Sequence, residues 1–259
     1  MLFRSDQQQI QFDYLMIVLS GLIVAGIGFW DDHDHILARW RLLAHFTASA
    51  WIAYWMNFQG FEYLIAIMIL VWCLNLFNFM DGIDGIAGAE AVFVALVLVF
   101  LTLGNDPQMA SIAILLAAAV FGFLIWNLPP ARIFMGDVGS GFLGLMLGVI
   151  ILSQGLFTTE FYTGIILFSV FITDATITLL IRIYRGEAWY QAHSCHGYQH
   201  MARTFGHFKI TGTIFLINLL WLLPIAILTM QMPDFATGFV LLAYLPLIVL
   251  AWRSKSGFD

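Results

Sequence analysis

Charge is scarce in this chain. Only 10% of its 259 residues are Asp, Glu, Lys or Arg, against about 25% in an ordinary soluble domain. With 61% hydrophobic residues and a mean hydropathy of +0.91, a water-soluble fold could not hide the apolar surface, which excludes a soluble globular domain. Cysteine is nearly absent too. Cys73 lies in an apolar run and Cys195 in a polar stretch, so a disulfide framework is excluded and both thiols are expected to be reduced. The chain shows no internal repeat and no low-complexity segment. Its net charge of −6 is no guide to partners, and no nucleic acid is expected among them. No cleavable leader is expected either, because residues 1–11 are polar and the first apolar run continues as a full span.

What is present is a succession of apolar runs. A membrane helix needs about 17–25 residues, and runs of that order fall near 12–30, 41–57, 61–78, 88–104, 109–126, 138–155, 160–182, 210–230 and 235–252. The expected fold is therefore all-α: a polytopic transmembrane helix bundle of about nine spans, in a single integral membrane domain over 1–259. Turn residues separate the runs, as in Gly104-Asn105-Asp106-Pro107 and Gln231-Met232-Pro233-Asp234. Counted on alternate sides, Arg39, Arg41, Arg132, Arg182, Arg185, Arg203, Lys209, Arg253 and Lys255 share one face and Arg4 takes the other. The positive-inside rule makes the first face cytoplasmic, with loops about 31–40, 79–87, 127–137 and 183–209.

Four polar clusters fall on that face. They are Asp31-Asp32-His33-Asp34; Asn75-x-x-Asn78-Phe79-Met80-Asp81-Gly82-Ile83-Asp84-Gly85; the segment Asn127 to Ser140, with Arg132, Phe134 and Asp137; and His193-Ser194-Cys195-His196-Gly197-Tyr198-Gln199-His200. A carboxylate in a span costs up to about 2.5–3.5 kcal/mol on insertion scales, so aspartates recurring at span ends need an explanation. Taken singly, any of them serves as a helix cap or loop residue. Together, six aspartates and three asparagines with few arginines nearby form a hard-oxygen environment. That environment suits Mg²⁺, or Mn²⁺ in its place, held by one or two side chains and by substrate phosphates.

Other residues keep two readings open. Gly82, Gly85, Gly88, Gly136, Gly139 and Gly141 permit tight turns and close backbone approach, or simple packing where membrane helices touch. Between Arg182 and Lys209, Arg182, Arg185, His193, His196, His200, Arg203 and His207 form a donor-rich patch able to hold phosphate. The positive-inside rule alone explains the arginines of that patch but not the histidines. His193, Cys195 and His196 lack the further ligand that would complete a zinc site. Asp174, inside an apolar run, is read as a helix-association residue or the partner of a basic side chain.

These motifs resemble the polyprenyl-phosphate N-acetylhexosamine-1-phosphate transferases, membrane enzymes that begin O-antigen, teichoic acid and related glycan synthesis. The resemblance covers nearly the whole chain. It rests on Gly28-Phe29-Trp30-Asp31-Asp32 with Arg41-Leu42-Leu43, on Asn78 to Gly85, on Pro129 to Ser140, and on His193-x-x-His196-x-Tyr198-Gln199, in that order. It implies Asp31, Asp32 and Asp81 as catalytic residues, the aspartate pair at the reacting phosphates and Asp81 in the cleft. Asn78 and Asp137 are implied as Mg²⁺ contacts. Asp84 and Phe134 are implied to hold the uracil, and His193, His196 and Arg203 to face the sugar diphosphate, with Arg132 also on the substrate side.

The implied reaction joins undecaprenyl phosphate to a UDP-N-acetylhexosamine. An oxygen of the polyprenyl phosphate attacks the β-phosphorus, giving polyprenyl-diphospho-sugar and UMP at the cytoplasmic face of a bacterial inner membrane, while the lipid chain stays in the bilayer. A phosphate monoester, with second pKa near 6, is largely ionised at neutral pH, so a general base is dispensable. The histidine loop lacks the consecutive histidines of the branch that transfers phospho-MurNAc-pentapeptide, which makes that branch the second reading. The family carries about two further helices and a Pro-Arg-Gly-Gly type segment before the first Asp pair, and the chain is expected to lack them. That keeps a third reading in view, an inactive relative acting as a scaffold. A transporter would place its polar residues near the bilayer midplane, and an intramembrane prenyltransferase would carry two similar Asp-rich clusters. Whether the chain forms a homodimer is left open.

Overall fold

The computed structural model describes residues 6–34, 36–187 and 193–258. Arg4, His35 and positions 188–192 of the expected cytoplasmic loop lie outside the described residues. The architecture is all-α, a polytopic membrane helix bundle, and the chain falls into two compact units: Met1–Asn78 with Met135–Leu156, and Phe79–Phe134 with Phe157–Asp259.

The first unit is built from α1 (Asp6–Asp34), α2 (Ala38–Trp55), α3 (Gly60–Met80, whose last two residues count with the second unit) and α6 (Gly136–Leu152). Along α1, Ile17, Ser20, Gly21, Val24, Gly28 and Asp31 are buried, a stripe at the three-to-four-residue spacing of one helix face. That stripe packs on α6. Contact there is close enough that a Cβ on Gly28 would lie 2.6 Å from the backbone of Asp137. Gly144 of α6 likewise abuts the Cys73 carbonyl of α3.

The second unit holds α4 (Ile86–Thr102), α5 (Pro107–Asn127), α7 (Thr159–Leu167), α8 (Ser169–Tyr184), α9 (Gly197–Phe205), α10 (His207–Ile217), α11 (Leu223–Gln231) and α12 (Ala236–Arg253). Asp106 caps α5 by accepting from the Met109 amide at 3.0 Å. A Cβ on Gly88 would press Leu124 of α5 at 3.0 Å, so at this glycine the packing reading holds. A π-helical turn, Asn218–Leu222, joins α10 to α11. Pro224, at the start of α11, has no amide hydrogen and crowds the carbonyl four residues back, which the wider turn accommodates.

All nine apolar runs fold as helix, but not as nine uniform spans. Among the described residues, five helices are long and apolar enough to cross a membrane, and a sixth crossing arises if α7 and α8 count as one span. The expected straight span over 160–182 is instead that pair, bent by 67°. The helices α4 and α6 have 17 residues each, about 26 Å at 1.5 Å per residue against a hydrocarbon core of about 30 Å. The 18-residue α2 carries Arg39 and Arg41 in its first turn and is not among the five. Both cysteines are free and buried.

The close contact of α3 with α6 gives a test. Gly144→Ala is expected to lower the thermal unfolding midpoint of the detergent-solubilised chain, at an overpacking cost of about 1–3 kcal/mol. Gly26→Ala, with nothing within 4 Å of the added carbon, should leave it unchanged or slightly raised.

Candidate functional site

In the first unit, residues from four helices meet around one guanidinium. Arg41 Nη1 lies 2.5 Å from Asp31 Oδ2 and 2.9 Å from Asp137 Oδ2. The other oxygen of Asp31 accepts from the Ile36 amide at 2.7 Å. Asn78 Nδ2 donates to Asp137 Oδ1 at 2.6 Å and faces the Ser140 hydroxyl at 3.4 Å. Asp32 Oδ1 accepts from the Asp137 amide at 3.1 Å, where the start of α6 presents free amide hydrogens and a positive dipole end. Gly136, at φ +63°, lets that turn form: a Cβ there would lie 2.5 Å from Asp32 Oδ2. The structure thus brings together Asp31, Asp32, Asn78 and Asp137.

The sequence places Arg41 in a motif without assigning it a role. Its signal there is its spacing, ten residues after Asp31, one helix away from an otherwise uncompensated acidic pair.

The donor chemistry fits Mg²⁺. The cluster offers carboxylate, amide and hydroxyl oxygens only, arranged around a single positive group, the set a hard dication takes. Among the described residues no group of three or more His, Cys, Asp or Glu is placed to hold an ion by itself. Mg²⁺ commonly takes one or two carboxylates and completes its shell with water and substrate phosphate.

In the second unit, Asp84 and Asn127 tie two loops together. Asp84 Oδ2 accepts from the Ala131 amide at 3.0 Å, and its Oδ1 stands 3.2 Å from His207 Nδ1. Asn127 Oδ1 accepts from the Gly85 amide at 3.1 Å, and its Nδ2 donates to the Ile133 carbonyl at 2.9 Å. Gly85, at φ +78°, opens α4. This frame presents Phe134 with 77% of its surface exposed, a free aromatic face, while the exposed Arg132 lies over the Trp126 ring at 5.5 Å. Asp81 is half-buried and contributes to the field at the Tyr198 hydroxyl.

The histidine loop is less of a cationic patch than its composition suggests. Arg182 is buried and paired with Glu187 at 2.8 Å, and Arg185 reaches the same carboxylate at 3.1 Å. Arg203 donates to the Ser194 carbonyl and hydroxyl, both at 2.7 Å. His193 Nδ1 lies 3.3 Å from Cys195 Sγ, and its ring stacks on His196 at 5.0 Å. His196 is 2% exposed. Burial, outweighing the favourable field of Asp174 and aided by His193, Arg182 and His200, pulls its pKa from 6.5 to about 4, so it is neutral at pH 7. Burial also raises the Tyr198 hydroxyl well above the usual tyrosine range, with Asp174 and Asp81 adding to the effect.

Of the two readings of Asp174, helix association is the one its contacts match, with backbone amides and a hydroxyl in place of a basic side chain. Its carboxylate accepts from the Gly197 amide and the Tyr198 amide, both at 2.9 Å, and from the Ser256 hydroxyl at 2.8 Å. A separate apolar cavity of about 1070 Å³ lies among α4, α5, α10 and α11. Its walls carry none of these polar groups.

Fold and site define a polytopic membrane protein whose polar clusters stand at helix ends. The sequence pattern of glycosyl transferase family 4 matches residues 14–155, more than half of the chain, and the chain belongs to that family. It is 27% identical over 239 residues to a phospho-N-acetylmuramoyl-pentapeptide-transferase of Synechococcus sp. (strain WH7803), covering 81% of this chain and 63% of that protein. With a protein of the same name from Thermotoga neapolitana it shares 37% identity over 137 residues, 53% of this chain and 43% of the relative. A Bacillus subtilis (strain 168) protein named "Probable undecaprenyl-phosphate N-acetylglucosaminyl 1-phosphate transferase" is 28% identical over 187 residues, 64% of this chain and 52% of its own length. The chain matches between 27% and 63% of the length of such relatives.

The buried His196 makes stability depend on pH. Below about pH 6.5 the unfolded chain takes up a proton at this ring that the folded chain refuses until about pH 4. Stability should therefore be steady above pH 6.5 and fall as the pH drops through that window. Thermal unfolding at pH 7.5 and pH 5 checks this: His196→Gln is expected to show a smaller acid-induced loss than the unaltered chain, and an equal loss would contradict it.

Proposed function

We propose that this protein transfers a sugar 1-phosphate from a UDP-sugar to a polyprenyl phosphate, with an N-acetylhexosamine as the sugar, undecaprenyl phosphate as the acceptor and UMP as the released product. Family membership supports the reaction class. The observation that carries the reading is the convergence of Asp31 and Asp137 on the Arg41 guanidinium, with Asn78 bonded to Asp137, at the ends of four helices.

In this reading Asp137 and Asn78 would hold Mg²⁺, which when bound would stabilise charge developing on the diphosphate. Asp31 has both oxygens engaged by donors, which suits a positioning residue rather than a proton acceptor. Asp32 fixes the first turn of α6 and so the place of Asp137. Arg41 offsets the repulsion between the two carboxylates and leaves a donor beside the acceptor phosphate. The exposed ring of Phe134, braced by Asp84 and Asn127, is assigned to the uracil, with Arg132 beside it. Asp81 is assigned to catalysis, and His193, His196 and Arg203 belong to the loop assigned to the sugar diphosphate. His196, buried and neutral, contributes ring stacking rather than charge. The face that collects the arginines is taken as cytoplasmic, in a bacterial inner membrane, and the product as the first lipid-linked sugar of an envelope glycan such as O-antigen.

The second reading, transfer of phospho-MurNAc-pentapeptide, is favoured by one observation, the names of the Synechococcus and Thermotoga relatives. One assay separates the readings: UMP release by the purified full chain in detergent with undecaprenyl phosphate, offered UDP-N-acetylglucosamine, other UDP-N-acetylhexosamines and UDP-MurNAc-pentapeptide. Lipid-dependent UMP from a UDP-N-acetylhexosamine is expected. Release from the pentapeptide donor alone would select the second reading, and no release from any donor would select an inactive relative. EDTA should abolish turnover and added Mg²⁺ restore it, with Mn²⁺ as a substitute. Asp137→Asn is expected to lower kcat on the order of 100-fold. Turnover indifferent to both EDTA and Asp137→Asn would remove the metal assignment.

A further inference from the structure

We propose that Asp174 is the positioning residue of the histidine loop, fixing the start of α9 from another helix and thereby setting how tightly the nucleotide sugar is held. The inference rests on the transferase reading for what the loop binds, but its structural basis is independent of it.

The first amides of a helix have no partner within it and are usually met by a Ser, Thr, Asp or Asn immediately before the first turn. α9 begins differently. The residue before it is His196, whose amide donates to the Gln199 side chain at 3.2 Å and whose Nδ1 is buried without a hydrogen-bond partner. The amides of Gln199 and His200 turn back to the His196 carbonyl at 3.0 and 3.1 Å. Those of Gly197 and Tyr198 are taken up by the two oxygens of Asp174, both at 2.9 Å. A carboxylate from the middle of α8 thus caps a helix that begins 23 residues later in the chain. Because the cap comes from elsewhere, position 196 is released to carry an imidazole.

The same carboxylate fixes the C-terminal segment. Ser256 Oγ donates to Asp174 Oδ1 at 2.8 Å, the Gly257 amide donates to the Cys195 carbonyl at 2.7 Å, and His200 Nε2 meets the Phe258 carbonyl at 2.8 Å. On the other side the Tyr198 hydroxyl donates to the Phe79 carbonyl at 2.9 Å, two residues before Asp81. Asp174 therefore sits where α8, α9 and the C-terminal segment join, 8% exposed, and the groups that meet its carboxylate there all donate to it. Only a carboxylate serves all of them. An asparagine would turn an NH₂ toward either the Tyr198 amide or the Gly197–Ser256 pair, setting donor against donor. His193, His196 and Arg203 all lie within seven residues of the two amides that Asp174 holds, so releasing those amides loosens the three together.

The test compares Asp174→Asn with the unaltered full chain in detergent, using UDP-N-acetylglucosamine and undecaprenyl phosphate as probes. Loss of a hydrogen bond to a charged group corresponds to about a 10- to 100-fold effect, expected here as a rise in KM for UDP-N-acetylglucosamine, with kcat and the KM for undecaprenyl phosphate nearly unchanged. Hydrogen exchange over 197–204 should speed up selectively. A KM like that of the unaltered chain, or an equal loss of kcat with no KM change, would overturn the proposal while leaving the transferase reading intact. If the unaltered chain releases no UMP, equilibrium binding of UDP-N-acetylglucosamine takes the place of KM, and equal affinity in both proteins overturns it. No binding by the unaltered chain would remove the transferase reading and the proposal with it. Should Asp174→Asn fail to fold, Ser256→Ala, which deletes one donor, is expected to raise the KM about 2- to 10-fold, and no change would count against the proposal.

Discussion

The guanidinium of Arg41 between the carboxylates of Asp31 and Asp137 is the interaction on which the first unit depends. Two ionised carboxylates facing one another at partly buried helix ends would repel, and removing them from water carries its own cost. Arg41 offsets both by sitting 2.5 and 2.9 Å from their oxygens. The geometry is possible because Gly28 brings α1 against the backbone of Asp137 and Gly136 takes a left-handed turn beside Asp32.

The second unit spends its polar residues on backbone. Asp84, Asn127 and Asp174 each bond amides or carbonyls of loops far from them in sequence. Buried loop backbone must find partners, and in an apolar chain with few charges these side chains supply them. The result is a pair of fixed frames. One displays the exposed face of Phe134, and the other holds the histidine loop, where buried His196 stays neutral and the arginines nearest it are offset by Glu187.

Much of this was legible in the sequence. The nine apolar runs fold as helices because hydrophobicity over such lengths leaves the backbone no other way to satisfy itself in lipid. Asp106 followed by Pro107 announced the start of α5, and the grouping of Asp31, Asp32, Asn78 and Asp137 followed from hard oxygens gathered at run ends. Three features were not legible. The 67° bend between α7 and α8 interrupts a run with no proline and no glycine at the break, so composition carried no mark of it. The partners of Asp174 are backbone amides, which sequence cannot distinguish from any others. The short lengths of α4 and α6 are the third: both end after 17 residues, where polar turns cut runs that hydropathy alone extends.

The most direct measurement is a double-mutant cycle between Arg41 and Asp137, with Arg41→Ala, Asp137→Ala and the double variant unfolded in detergent as full chains. If one guanidinium holds the two carboxylates together, the single losses should not add, and a coupling of about 0.5–3 kcal/mol is expected for residues in one such network. Losses that add to within about 0.5 kcal/mol would mean that the pair is merely adjacent, and that Arg41 does not hold the first unit's carboxylates in place.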